Sequence, residues 1–212
     1  MHSLAIRMLP FVLFLFFYQT KAQQTDRKLE AATVSLIKNF RGDIGVYVKN
    51  LRTGKTVAIQ ADTIFPTASM IKIPILVGVM QKIEEKELSY HQKLVYKDSL
   101  FYAGEDVLAA FKHNEAIELS KVMMLMLTLS DNTASLWLQG LSGGGNAINT
   151  LMEKLGLPHT RVNSRTPGRE SNRSQYGWGQ TTPREMATLM EKIYRKEVLS
   201  TTASLQMMRM LG

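Results

Sequence analysis

The sequence predicts an α+β fold, a helical cluster combined with an antiparallel sheet. Residues 45–49 and 56–59 alternate apolar and polar side chains as strands do, and residues 52–55, which include Gly54, form a turn between them. Most of the chain that follows shows helical spacing of its apolar residues. Strands and helices that are segregated along a chain are typical of the α+β class.

Helical spacing is clearest near the start, where Leu29, Ala32, Leu36 and Ile37 share one face of a helix predicted over residues 26–40. A second helix is predicted over residues 69–85. It begins shortly after Pro66, which interrupts regular secondary structure. Further helices are predicted over residues 107–111, 116–128, 133–138, 147–155, 183–195 and 202–210. With 212 residues, 45% of them hydrophobic, the chain can bury one core.

The first 22 residues have the pattern of a secretory signal peptide. Arg7 supplies the positive charge, residues 8–18 form an apolar run, and Ala22 is the small residue expected before the cleavage site. An uncleaved anchor is the alternative, although the run is short for a membrane span. We therefore expect residues 23–212 to form the mature domain, periplasmic or secreted, with no stable membrane insertion after cleavage.

Charge and composition argue against several classes of function. The formal net charge is +8, or +6 without Arg7 and Lys21, but basic and acidic residues alternate as in residues 82–86. This mixture indicates a solvated surface that mildly favours anionic substrates, and no nucleic-acid groove. There is no cysteine, and the four histidines show neither metal spacing nor a carboxylate partner pattern. We expect a monomer with no cofactor and no metal.

Two short motifs carry the chemistry. Ser69-Met70-Ile71-Lys72 reads S-x-x-K, and Ser130-Asp131-Asn132 follows further along the chain. Residues three apart share a helix face, so Lys72 would lie one turn from Ser69 and could act as its base if burial lowers the lysine pKa. Ser130 would relay a proton, and Asp131 would cap the next helix. The alternatives are a capping or turn serine and a solvated lysine, as we expect for the second S-x-x-K match at residues 35–38.

With these motifs, the chain resembles the superfamily of class A β-lactamases and serine penicillin-binding proteins. The resemblance extends to residues 65–69 before the nucleophile, to residues 143–161, and to Thr181-Thr182-Pro183 after the Ω-loop. It implies a β-lactamase/transpeptidase-like fold in which Ser69 is the nucleophile, Lys72 the proton acceptor and Ser130 the proton donor to the leaving nitrogen. Asn132 would bind the substrate amide and Lys72. Tyr102 would line the cleft, although a surface tyrosine is equally consistent with the sequence.

Two departures from the family pattern bear on function. No K-T-G follows Asn132, so we expect the sequence to be C-terminally incomplete, with its K-T-G strand beyond Gly212 and the fragment inactive by itself. The Ω-loop has Pro167 two residues after Arg165, where the family pattern R-x-E-x-x-L-N has its glutamate. Glu170 is the loop's one acid and the candidate base for deacylation. Its alternative is a surface acid paired with Arg169 or Arg173.

Three hypotheses about function follow from these observations. The favoured one is an exported serine β-lactamase that opens the β-lactam amide through a Ser69 acyl-enzyme. The second is a D,D-peptidase or other penicillin-binding serine hydrolase acting on cell-wall peptides, which the altered Ω-loop motivates. The third is a non-catalytic binding domain or an inactive fragment. The expected partner is a small β-lactam or a peptidoglycan peptide.

Overall fold

The computed structural model describes residues 24–104 and 106–212, so the predicted signal peptide lies outside the described residues. Within these ranges the α-helices are α1 (Arg27–Ile37), α2 (Lys72–Glu84), α3 (Leu119–Thr128), α4 (Asn132–Leu141), α5 (Gly144–Lys154), α6 (Glu170–Tyr176), α7 (Pro183–Arg195) and α8 (Thr201–Leu211). The strands are β1 (Val46–Lys49), β2 (Thr56–Ile59), β3 (Phe65–Pro66), β4 (Lys93–Val95), β5 (Ala116–Glu118), β6 (Arg161–Val162) and β7 (Gly179–Thr181). The α+β prediction is confirmed.

The strands form small antiparallel sheets. β1 and β2 pair as the predicted hairpin, with Val46 opposite Ile59, and β4 pairs with β5. A three-stranded sheet has the order β3–β7–β6. This sheet positions the site, because it joins the chain just before Ser69 to the strand that ends the Ω-loop. The Thr67 amide extends the pairing by donating to the Gly179 carbonyl oxygen at 3.0 Å.

Helix α2 forms the centre of the core. It packs against α3, α4, α5 and α8, and Ile75, Leu76 and Val79 on it are fully buried. Each such side chain contributes about 1.5–3 kcal/mol of transfer free energy when it is removed from water. The helix that begins at Lys72 is therefore held rigidly from several sides. No helix among the described residues combines the length and apolarity needed to cross a membrane.

The structure corrects several predicted elements. Residues 116–128 are not one helix: β5 comes first, because Glu118 has extended dihedral angles and the Leu119 amide donates to Gln92. Residues 107–111 form a 3-10 turn, Val107–Ala110. Helix α6 and strands β3–β7 were not predicted, since such short segments contain too few residues to show a period. Helix α1 forms as predicted, but none of its residues is buried.

Buried polar side chains fix the chain around the Ω-loop. The Asn149 side chain forms hydrogen bonds with both backbone groups of Val162: it accepts from the Val162 amide at 2.7 Å and donates to the Val162 carbonyl oxygen at 3.0 Å. Gln139 donates to the Ser164 carbonyl oxygen at 2.6 Å and accepts from the Ser164 hydroxyl at 2.9 Å. At the other end, the Glu185 carboxylate accepts from the His159 amide and from the Thr160 hydroxyl. These contacts replace the backbone ladder that a longer sheet would provide.

Replacing Gly145 by alanine is expected to destabilise the anchorage of this loop. A Cβ atom at Gly145 would lie 1.8 Å from the Thr166 hydroxyl oxygen, and Thr166 is buried. We expect the free energy of unfolding to fall by about 1–3 kcal/mol, as for other overpacked interiors, measured by thermal and denaturant unfolding. Gly140→Ala in α4 is the matched control, because its Cβ would meet open space. Equal stability of the two variants would contradict the prediction.

Candidate active site

Ser69 lies on a 3-10 turn, Ala68–Ile71, that leads directly into α2. Lys72 is the first residue of α2, so the two side chains lie on the same face, one turn apart, as predicted. Ala68 has a φ of +45°, an unusual conformation for a residue with a side chain. The close approach of Gly179 holds this segment, since a Cβ there would lie 2.5 Å from Ile71. The nucleophile therefore lies on a constrained backbone.

The second motif lies in the connection between α3 and α4. Asp131 is the N-cap of α4: one carboxylate oxygen accepts from the Ala134 amide at 2.7 Å. The other accepts from the Leu108 amide at 3.0 Å. The predicted capping role of Asp131 is thus confirmed. Ser130 has a φ of +58°, so the backbone here turns sharply before the helix begins. The capped helix fixes the positions of Ser130 and Asn132 on either side of Asp131.

The two motifs meet at the side-chain nitrogen of Lys72. This nitrogen is 2.8 Å from the Ser130 hydroxyl oxygen, 3.4 Å from the Ser69 hydroxyl oxygen and 3.0 Å from Asn132 Oδ1. It also donates to the Ser130 carbonyl oxygen. The two serine hydroxyls are 2.9 Å apart. Ser130 thus bridges the nucleophile and the lysine, and a proton can pass from Ser69 to Lys72 directly or through Ser130.

Burial adjusts the acidity of Lys72. The side chain is only 3% exposed, and this burial lowers the pKa of the amine below its ordinary value. The carboxylates of Asp106 and Asp131 act in the opposite direction by stabilising the charged form. The net effect is a larger neutral fraction at neutral pH than for a solvated lysine. A neutral amine is what a proton acceptor requires.

Asp106 is a residue that the sequence analysis missed. Its carboxylate accepts from the Asn132 amide at 3.0 Å, and from the Thr133 amide and hydroxyl at 2.8 and 3.1 Å. It therefore binds the first turn of α4 alongside the Asp131 cap. No local pattern marks it, because the contact joins residues about 26 positions apart. Asp106 holds Asn132 in place and adds negative charge near Lys72.

Two aromatic rings wall the cleft beside the nucleophile. Tyr102 and Trp178 meet edge to face, with ring centroids 5.2 Å apart. With Ser69, Lys72 and Asn132 they line a cleft of about 250 Å³. The position of Tyr102 agrees with its predicted place at the cleft. Trp178, which lies between Gly177 and Gly179, was not predicted as a site residue.

A second cavity, of about 310 Å³, is also lined by Ser69 and Lys72. Ser130 lines it together with Met210 and Leu211 of α8. A further cavity, of about 610 Å³, lies between β1 and α7 and is mostly apolar. It contains neither hydroxyl nor amine of the motif pair, so its size alone does not make it the reactive site. Ser69 and Lys72 line both of the smaller clefts, which makes these clefts the candidate reactive site.

Glu170 is not brought into either of these clefts. It lines a separate cavity with residues of the Ω-loop, and one of its carboxylate oxygens accepts from the Gly168 amide at 3.1 Å. It also forms no ion pair within 4.0 Å with Arg169 or Arg173, the partners that its alternative reading required. The residues that line the two nucleophile clefts include no carboxylate. This placement does not favour Glu170 as the base for deacylation.

A constrained serine that shares hydrogen bonds with a buried lysine, a second serine and an asparagine defines a serine hydrolase site that uses no histidine. Comparison with known proteins agrees with this class. The model of the β-lactamase enzyme family matches residues 27–212, and the chain belongs to this family. It is accordingly a β-lactamase-like serine hydrolase by family.

Individual relatives are distant. A β-lactamase of Stenotrophomonas maltophilia is 26% identical over 187 residues, covering 86% of this chain and 61% of the relative. The β-lactamase ROB-1 of Haemophilus influenzae is 25% identical over 163 residues, covering 77% and 52%. The chain thus spans 52–61% of the length of these two relatives. The solved structure of PBP-A has a TM-score of 0.78 at 28% identity, covering 89% of this chain and 69% of that one.

Proposed function

We propose that this protein is an exported serine hydrolase that β-lactams acylate at Ser69. The observation that carries the proposal is the hydrogen-bonded cluster of Ser69, Lys72, Ser130 and Asn132 around a buried amine. The same cluster would serve a cell-wall peptide, since both substrates present an amide carbonyl to the nucleophile. Export rests on the pattern of residues 1–22.

The distances in the cluster support the following acylation step. The Ser69 oxygen attacks the β-lactam carbonyl carbon, forming a C–O bond as the ring C–N bond breaks. Lys72 accepts the hydroxyl proton, directly or through Ser130. Ser130, 2.8 Å from Lys72, then delivers a proton to the leaving nitrogen. Asn132 donates its side-chain amide to the substrate while its oxygen holds Lys72 at 3.0 Å.

The lifetime of the acyl-enzyme separates the two enzymatic hypotheses. A β-lactamase needs a base that activates water beside the ester, and Glu170 lines a cavity apart from Ser69. We therefore favour a penicillin-binding hydrolase in which the ester persists, over a fast β-lactamase that uses Glu170. The likeness to PBP-A supports this choice, because a variant of that protein was solved as its acyl-enzyme complex with penicillin G.

Intact mass spectrometry of the protein expressed from its complete gene tests the proposal. We expect penicillin G to add its full mass at Ser69 and the adduct to persist for hours. Ser69→Ala should show no adduct, because it removes the hydroxyl group that we propose as the nucleophile. Absence of an adduct on the parent protein would contradict the enzymatic proposals and leave the non-catalytic hypothesis.

The same measurement decides the role of Glu170. An adduct that clears within seconds from the parent protein but accumulates on Glu170→Gln would establish Glu170 as the base and overturn the persistent ester. Equal, slow clearance from both proteins is the expected result. Glu87→Gln, which alters an exposed glutamate that pairs with Lys82, is the matched control for the loss of one acid.

A further inference from the structure

The Ω-loop contains three arginines and a single acid, Glu170. Arg165, Arg169 and Arg173 lie within nine residues of chain. None of them forms an ion pair within 4.0 Å with a carboxylate of the described residues. Burial and the neighbouring Arg161 together lower the pKa of Arg169, which shows that its charge is held at some cost.

A cavity of about 250 Å³ lies beside two of these three arginines. Arg165 and Arg173 line it, with Thr166 and Pro167. Asn163 also lines it and is only 1% exposed. Glu170 is the one acid in the lining, so the lining residues carry a net positive charge. The cavity is large enough for a small polar ligand or several waters.

The buried amide of Asn163 supplies an independent sign of a missing partner. Its Oδ1 accepts from Arg169 Nε at 3.0 Å. Because a guanidinium only donates, this contact fixes which end of the amide is oxygen. The other end, Nδ2, is therefore a donor, and it has no hydrogen-bond partner among the described residues. An unpartnered buried donor is uncommon and calls for an acceptor.

We propose that this Ω-loop cavity is a binding site for a small oxyanion, a phosphate or a carboxylate, held by Asn163, Arg165 and Arg173. The anion would accept from the Asn163 amide and from the two guanidinium groups, which suit planar and tetrahedral oxyanions alike. The site is distinct from the Ser69 clefts and does not depend on the proposed acylation. A bound anion would tie the two ends of the loop segment that includes residues 163–173.

Calorimetric titration with inorganic phosphate, at ionic strength held constant with sodium chloride, tests the proposal. We expect millimolar binding and a matching rise in melting temperature. A second arm uses N-acetyl-alanyl-alanine and its C-terminal amide. Binding of the free peptide acid but not of the amide would identify a carboxylate source, whereas binding of phosphate alone would identify a phosphate source. No binding of either anion would overturn the proposal and leave water as the partner of Asn163.

Asn163→Asp is the sharpest variant. It keeps the oxygen that accepts from Arg169 but turns the free donor into a negatively charged acceptor. We expect the fold to be retained and anion binding to be lost. Arg173→Gln should weaken binding about ten- to hundredfold, whereas Arg195→Gln, the same charge change in α7, should have no effect. Full binding by Asn163→Asp, with its melting temperature unchanged, would refute the assignment.

Discussion

Lys72→Met is expected to lower the rate of acylation by penicillin G by about 10²–10⁴-fold, the range found when a general base is lost. Methionine is close to lysine in length and apolar, so it suits a position that is 3% exposed. What it removes is the amine that contacts both serine hydroxyls. The measurement is the second-order rate constant for adduct formation, followed by mass spectrometry.

Lys72→Arg separates proton transfer from charge. Arginine keeps the positive charge and can donate to Ser130 and Asn132, but it does not give up its proton near neutral pH. If Lys72 is the base, the arginine variant should be as slow as the methionine variant. Substantial acylation by the arginine variant would show that Lys72 acts only through its charge.

The pH profile provides the second readout for Lys72. Because burial lowers the pKa of this amine, the acylation rate should rise with pH and reach its plateau below the ordinary lysine pKa. The neutral form is lost as pH falls through the lowered pKa, so the rate should decline on the acid side. A profile that stays flat from acid pH to the ordinary lysine pKa would contradict this role.

The chemistry of the site could be predicted because its signals are local. Ser69 and Lys72 are three residues apart, and a single helical turn makes them neighbours. Asp131 caps a helix whose first residues are its own chain neighbours. The long helices α2 and α7 were predicted for the same reason, since their apolar spacing is visible within one segment. Features of the fold and the site that depend on a few consecutive residues can therefore be predicted from the sequence.

The rest depends on contacts between distant segments. Asp106 reaches the first turn of α4, and Trp178 meets Tyr102 across the cleft. The position of Glu170 depends on how β6, β7 and α6 fold the Ω-loop, which no residue spacing encodes. The strands in this region have two or three residues each, too few to show alternation. Tertiary pairing therefore decides which acid can reach Ser69.

Asp106→Asn is expected to have two separate effects, one on the maximal acylation rate and one on the pH at which that rate rises. The first effect comes from weaker anchorage of α4, because an amide nitrogen in place of Oδ2 would face the Thr133 amide, which is also a donor. Thr133 is fully buried, so we expect a loss of about 1–3 kcal/mol in the free energy of unfolding. Misplacement of Asn132 should lower the maximal acylation rate by up to about 10²-fold.

The second effect concerns the Lys72 amine. The Asp106 carboxylate raises the lysine pKa, against the larger effect of burial. Without that carboxylate the pKa should fall further, so the rise of the acylation rate should begin at lower pH than in the parent protein. A purely structural role would lower stability and rate but leave this rise where it was. Asp98→Asn removes an exposed carboxylate that is paired with His113, and it serves as the control for the loss of one negative charge. This variant should change neither the acylation rate nor the pH at which that rate rises. A slower variant whose profile coincides with that of the parent would therefore reduce Asp106 to a helix anchor, whereas a shift toward acid pH would establish that it also sets the acidity of Lys72.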